Sequence, residues 1–103
     1  MSKATADFPP IDPLLHEPAR LRLLTLLAMV KRADFTYLLN LSGLSRGNLS
    51  VQMTKLAEAG LVDIDKSFRA NRPRTVYRLT RPGVTALRSY KKNMAVILAA
   101  LPD

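Results

Sequence analysis

Cysteine and tryptophan are absent from this chain of 103 residues, and histidine occurs once. Without cysteine the chain has no disulfide framework, no thiolate metal site and no cysteine nucleophile, and one histidine cannot form a histidine-rich metal site. A set of nucleophile, base and orienting residue is also missing, as are a P-loop and a metal pair. The sequence therefore predicts a protein that is not an enzyme and that needs neither a metal nor another cofactor.

Long hydrophobic runs are missing as well. Uncharged apolar stretches such as residues 23–30 are far shorter than the ~20 residues of a membrane-spanning helix. The N-terminus lacks the basic and then apolar layout of a signal peptide, so we expect a soluble, cytoplasmic protein without membrane contact. Because 48% of the residues are hydrophobic, the chain can bury the core of one domain.

Acidic residues are nearly absent from the last third of the chain. Residues 1–65 contain seven residues of each sign, whereas residues 66–103 contain nine basic residues and one acidic residue, so the net charge of +8 lies entirely in the C-terminal third. Such an imbalance indicates a polyanionic partner, nucleic acid first and an anionic membrane second. A basic face that only keeps the protein soluble is the alternative explanation.

The N-terminal half predicts an arm and two helices. A proline pair blocks a helix within residues 1–11, which we expect to form a flexible arm, and residues 12–103 then form a single domain. Pro18 can open a first helix, whose leucines recur at steps of three and four residues, as in a helix that packs on a core rather than one that lines an effector cleft. Thr36 can cap a second, two-turn helix that ends at Gly43.

Polar residues near the first helix each have two interpretations. His16 is interpreted as a surface or capping residue rather than a metal ligand, because a lone histidine lacks co-ligands. Four basic residues either solvate a helix face or contact phosphate, and the sequence does not separate the two: Arg20, Arg22, Lys31 and Arg32.

A third helix and a hairpin follow. Ser45 can cap a helix over residues 45–59, which has one apolar face and, on the other, no acidic residue before Glu58. Alternation then predicts two strands, Val62 to Asp65 and Thr75 to Leu79. The nine residues between the strands form a long, cationic loop at the tip of the hairpin.

The last helix carries a regular apolar stripe. Thr80 can cap this helix, which we predict over residues 81–101. Five apolar residues recur in it at steps of 3, 4, 3 and 4, a pattern typical of a helix that packs along another helix: Leu87, Tyr90, Met94, Ile97 and Leu101. One small domain cannot cover the whole stripe, so we expect a homodimer held largely by this helix. Packing within one chain is the alternative.

This order of elements is that of a winged helix-turn-helix, mainly α with a small β-hairpin and a long C-terminal dimerisation helix. The major groove of DNA, about 12 Å wide, admits one helix whose N-terminal residues reach base edges. We expect helix 45–59 in the major groove and the hairpin tip, residues 66–74, in the minor groove. The DNA-binding residues predicted on the helix are Ser45, Arg46, Asn48, Ser50, Gln52 and Lys55, and those on the tip are Lys66, Arg69, Arg72 and Arg74.

Side-chain chemistry suggests a role for most residues of the helix. Arg46 can donate two hydrogen bonds to guanine, and Asn48 or Gln52 can pair with adenine. Lys55 or Ser45 can hold a phosphate. On the tip, arginines that flank a proline suit a narrow, electronegative minor groove.

Two segments resemble a known family. Residues 44–62, LSRGNLSVQMTKLAEAGLV, resemble the recognition-helix signature of the ArsR and MarR repressors of bacteria and archaea. Residues 72–80, RPRTVYRLT, resemble the wing of a small winged-helix subgroup of that superfamily. The resemblance implies a homodimeric transcriptional regulator, usually a repressor, that binds a pseudo-palindromic operator in double-stranded DNA. It does not extend to the metal sensors of the family, which use Cys and His clusters, and it identifies no small-molecule effector.

Two other functions stay open at this point. A winged helix can serve as a protein-interaction module or bind RNA, in both cases without operator specificity. The uncompensated positive charge after Lys66 argues against the first. RNA binding requires exposed aromatic residues on which single-stranded bases stack. We expect the three Phe and three Tyr residues of this chain to be mostly structural, which argues against RNA binding.

Overall fold

The chain folds into four helices and a three-stranded antiparallel sheet. The structure is a computed structural model, and it describes residues 7–103. In chain order the elements are α1 (Pro18–Val30), β1 (Arg32–Asp34), α2 (Phe35–Ser42), α3 (Arg46–Glu58), β2 (Val62–Arg69), β3 (Arg72–Leu79) and α4 (Arg81–Ala100). The predicted fold class, a mainly α winged helix-turn-helix with a hairpin and a long last helix, is confirmed. Of the arm predicted over residues 1–11, residues 1–6 lie outside the described part.

Side chains that accept backbone hydrogen bonds set the helix starts. The hydroxyl groups of Ser45 and Thr80 cap α3 and α4, as the sequence predicts. The predicted cap of α2 at Thr36 is wrong, because the carboxylate of Asp34 accepts the N–H of Tyr37 at 2.8 Å and starts that helix earlier. The first helix is capped by a glutamate, Glu17, whose Oε1 accepts the N–H of Arg20 at 2.8 Å.

Strand β1 was not predicted. It is three residues long, too short to show alternation, and it exists because Ala33 pairs with Tyr77 of β3. The sheet order is β1-β3-β2, so β3 lies in the centre.

The prediction of a nine-residue loop at the tip of the hairpin is also wrong. Strands β2 and β3 stay paired from Val62 and Leu79 out to Arg69 and Arg72, and a two-residue turn joins them. The turn residues Ala70 and Asn71 have φ of 53° and 61°, the left-handed conformation that tight hairpin turns require. Proline, asparagine and, to a lesser degree, lysine are depleted in strands, which is why the pattern indicated a loop.

The core lies between the helices and the inner face of the sheet. Leucines of α1 occupy its centre, in agreement with the interpretation of the first helix as a core helix. The fully buried apolar residues are Leu15, Leu23, Leu24, Leu27, Leu38, Leu49, Met53 and Leu56. Within residues 7–103, no helix has the length and apolar character needed to cross a membrane.

Candidate nucleic-acid interface

Helix α3 buries one face and exposes the other. Leu49, Met53 and Leu56 pack into the core, and this anchors the helix by the apolar face that the sequence predicts. The opposite face is open to solvent and carries five of the predicted DNA-binding residues: Ser45, Arg46, Asn48, Ser50 and Lys55. The sixth, Gln52, is half-buried.

Arg46, at the start of α3, contacts an aromatic ring of the preceding helix. Its guanidinium carbon lies 5.6 Å from the centroid of the Phe35 ring, which is within the range of a cation–π contact. The contact leaves Arg46 exposed at the N-terminal end of α3, the end that reaches base edges when such a helix lies in a major groove.

Gln52 is part of a hydrogen-bonded chain that the sequence did not reveal. Its Oε1 accepts a hydrogen bond from Nη1 of Arg20 at 2.9 Å, and its Nε2 donates to Oδ1 of Asn48 at 2.9 Å. Arg20 therefore neither solvates a helix face nor is free to contact phosphate, the two roles that the sequence left open. No local pattern could have found this chain, because Arg20 and Gln52 are 32 residues apart.

Arg20 connects the same series of hydrogen bonds to the cap of α1. The N–H of Arg20, donated to the carboxylate of Glu17, holds the pKa of that carboxyl below its usual value of 4.5, and the charge of Arg20 adds to the effect. Glu17 is therefore an anion at neutral pH, placed beside the guanidinium that contacts α3.

The wing, which comprises β2, β3 and their turn, carries Lys66, Arg69 and Arg72 on exposed positions, whereas Arg74 is half-buried. Arg74 forms an ion pair with Asp34 across 3.7 Å, which ties β3 to the start of α2. Lys66, Arg69 and Arg72 form no ion pair with any of residues 7–103.

At the wing tip, like charges face each other. Arg69 and Arg72 are direct cross-strand partners on either side of the turn. Like charges at such positions repel, so this pair favours an anion from outside the chain. Next to them Phe68 exposes 77% of its surface and is an exception to the prediction that the aromatic residues are mostly structural.

The apolar stripe of α4 is divided between two environments. Tyr90 is buried in the core of its own chain, where its hydroxyl lies 2.9 Å from Nδ1 of His16, and Leu87 and Met94 pack against that core. Towards the C-terminus the helix extends past the domain, and Leu98 and Leu101 are 55% and 63% exposed.

An open groove of about 1210 Å³ lies between α1 and α4. Apolar side chains line most of it, among them Leu21 and Met29 of α1 and Leu87, Met94 and Leu98 of α4. The groove brings Met94 and Leu98 of α4 to the same surface as Leu21 and Met29 of α1. Four basic residues also line it: Lys31, Arg78, Arg88 and Lys91.

Comparisons with known proteins agree with this geometry. A family model described as a winged helix DNA-binding domain matches residues 19–98. An uncharacterised protein of Methanocaldococcus jannaschii, MJ0432, is 31% identical over 77 residues, which is 75% of this chain and 84% of that protein.

Solved structures show the same fold. A transcriptional regulator homologue from Pyrococcus horikoshii OT3 superposes with a TM-score of 0.81 at 28% identity, covering 87% of this chain and 89% of the other. A MarR family transcriptional regulator from Silicibacter pomeroyi has a TM-score of 0.64 at 28% identity over 81% of this chain and 55% of its own.

Proposed function

Since this chain belongs to the winged helix DNA-binding domain family and has the fold of MarR-type transcriptional regulators, we propose that it represses transcription as a homodimer bound to a specific site in double-stranded DNA. Helix α3 enters the major groove and the wing enters the adjacent minor groove. The operator is pseudo-palindromic, because a two-fold symmetric dimer presents the same helix to each half-site.

The observation that carries the proposal is the pair of facing arginines at the wing tip. Arg69 and Arg72 repel each other across the hairpin, and neither has an acidic partner within residues 7–103. A narrow minor groove concentrates negative potential and attracts inserted arginines. The positive charge of the wing tip therefore favours DNA binding and does not stabilise the fold.

The exposed face of α3 supplies the second contact. Its buried apolar residues fix the helix on the domain, and its polar face carries donors from Arg46, Asn48 and Lys55 with no acidic residue before Glu58. Donors at the N-terminal half of a helix in the major groove meet the acceptor atoms of bases, and lysines meet phosphates.

The apolar side chains of α1 and α4 in the groove support the proposed homodimer. Leu98 and Met29 are exposed in the groove between the helices, and removal of such apolar side chains from water is a driving force for association. The α4 helix of a second copy of this chain is a suitable partner for the groove. Its exposed residues are also apolar, so they too would be removed from water in the dimer.

RNA binding is the alternative that one observation favours. The exposed ring of Phe68 could stack on an unpaired base, as aromatic residues of RNA-binding proteins do. Such proteins present several stacking residues together, and Phe68 is a single ring beside arginines, so duplex DNA is the better match.

Binding measured at two salt concentrations tests the proposal. Duplexes selected from a random pool should bind more tightly than single-stranded RNA of the same sequence. Their affinity should fall by about 10³–10⁵ between about 50 and 200 mM salt if six to ten phosphates are neutralised. A flat salt response, or tighter binding of the RNA, would contradict the proposal.

The Arg72→Ala variant identifies the surface responsible. Its salt slope should be lower by about one unit for each wing that contacts DNA. Arg72 is preferable to Arg74 because Arg74 also holds Asp34. Lys92→Ala, which removes an exposed charge from α4 outside the wing, is the matched control and should leave the slope unchanged.

A further inference from the structure

Arg20 of α1 is held in place by partners on several sides. Its Nε donates to the carbonyl oxygen of Leu14 at 2.6 Å, and its Nη1 donates to Oε1 of Gln52 at 2.9 Å. The carboxylate of Glu17 lies 3.9 Å from Nη1. The side chain is only 14% exposed, so this guanidinium has a fixed position behind α3.

The fixed guanidinium determines which way two amide groups face. A guanidinium only donates hydrogen bonds, so the atom of Gln52 that faces Arg20 must be the oxygen. The NH₂ group of Gln52 then faces Asn48, one helical turn earlier, and the atom of Asn48 that receives it must again be the oxygen. Arg20 therefore sets the donor-to-acceptor direction of both hydrogen bonds, from Arg20 to Gln52 and from Gln52 to Asn48.

Asn48 ends this chain on the exposed face of α3. With its oxygen turned to Gln52, the NH₂ group with two donors is the part that remains for an outside partner. Gln52 has no outward role of the same kind, because Arg20 and Asn48 engage both ends of its amide.

We propose that Arg20 determines the base preference of α3 without touching DNA, by making Asn48 present N–H donors that read guanine. Guanine carries two acceptors, N7 and O6, on its major-groove edge. Adenine carries one acceptor and one donor there, so an amide that pairs with it must offer both its oxygen and its nitrogen. The pairing of Asn48 or Gln52 with adenine that side-chain chemistry alone suggests is therefore disfavoured. This inference rests on the proposed function.

Relative affinities for single base-pair substitutions in a selected duplex test the inference. The position that loses its preference in Asn48→Ala is the one that Asn48 reads. At this position the unsubstituted protein should prefer guanine to adenine by about ten-fold or more. Arg20→Met removes the donors and keeps the apolar stem, so the preference should fall to near unity there and persist at other positions.

Two further variants separate positioning from a general loss of structure. Arg20→Lys keeps a donor-only group and should retain the guanine preference. Arg22→Met removes an arginine of the same helix that donates to the carbonyl oxygen of Ser42 at 2.7 Å, and it should leave the preference unchanged. Adenine at the Asn48 position, or an unaltered guanine preference in Arg20→Met, would overturn the inference. If the unsubstituted protein selects no duplex at all, the proposed function itself fails.

A measurement without DNA covers the case in which Arg20→Met does not fold. In side-chain amide NMR spectra of the unsubstituted protein, the NH₂ protons of Gln52 should exchange with water more slowly than those of Asn48. The opposite order would show that the amides face the other way and would overturn the inference.

Discussion

At the scale of single residues, both arginines of α1 donate hydrogen bonds to other parts of the fold. Arg20 contacts α3, and Arg22 donates to the carbonyl oxygen of Ser42 at the end of α2. Backbone carbonyls at a helix C-terminus lack partners within the helix, so Arg22 satisfies one of them. Net charge alone therefore overstates how many arginines are available to an outside partner, whereas Arg46 of α3 and Arg69 and Arg72 of the wing form no ion pair within residues 7–103.

Glu17 gives the unfolding free energy a dependence on pH. Its pKa is below 4.5 in the folded chain, so the capping charge stabilises the fold fully above about pH 4.5 and loses its effect as the pH falls through the folded-state pKa. Glu17→Gln should cost about 0.3–1 kcal/mol at neutral pH, a small value because a third of the side chain is exposed. Urea unfolding of both proteins from pH 7 to pH 3 measures it. A difference that grows as the pH falls would contradict this account of the cap.

Local residue patterns identify hydroxyl caps and fail for carboxylate caps here. Ser45 and Thr80 precede helices with clear apolar periodicity, and both were predicted. Asp34 caps α2 directly after a strand that no periodicity marks, so Thr36 was preferred wrongly. The Arg20 to Asn48 chain joins residues distant in sequence, and only the packing of α1 on α3 brings them together.

At the scale of elements, one close contact fixes the start of α4 against the loop between α3 and β2. The N–H of Thr80 donates to the carbonyl oxygen of Leu61 at 3.0 Å, and its hydroxyl donates to the carbonyl oxygen of Gly60 at 2.7 Å. Gly83, in the first turn of α4, lies so near Leu61 that a Cβ would collide with the same carbonyl oxygen. The glycine therefore serves close packing, since its φ lies outside the left-handed range.

Gly83→Ala should destabilise the domain by about 1–3 kcal/mol, because the new methyl group meets backbone that cannot move aside easily. Gly47→Ala is the matched control. Gly47 is also helical but has open space around its Cβ position, so this change should be neutral or stabilise by up to about 1 kcal/mol. Thermal unfolding of the two variants decides the matter, and equal effects would show that the contact at Leu61 has no energetic role.

At the scale of the whole molecule, the apolar groove lies away from the wing tip and the open face of α3, although four basic residues also line it: Lys31, Arg78, Arg88 and Lys91. The wing tip and the open face of α3 are cationic or polar, whereas the groove between α1 and α4 is mostly apolar. Charge distribution and the heptad spacing were readable in the sequence. How much of the stripe the domain covers was not, since the burial of Tyr90 depends on the packing of α4 on α1.

Substitutions in the groove test the homodimer. Leu98→Asp combined with Met29→Asp places charges on two exposed groove residues and should shift the sedimenting species from twice 11.4 kDa to 11.4 kDa. These positions are better than Met94, which packs against the core of its own chain. Val96→Asp, at an exposed position of α4 outside the groove, should remain dimeric. A double variant that stays dimeric, or a control that dissociates equally, would contradict the groove as the interface.

The central claim is that α3 reads base sequence and the wing supplies general affinity. Binding of Arg46→Ala to the selected operator and to a scrambled duplex, at one salt concentration, tests it most directly. The account predicts a loss of about 1–3 kcal/mol on the operator and a much smaller loss on the scrambled duplex, with thermal unfolding as a check that loss of the Phe35 contact has not unfolded the domain. Equal losses on both duplexes would show that α3 is not the sequence reader.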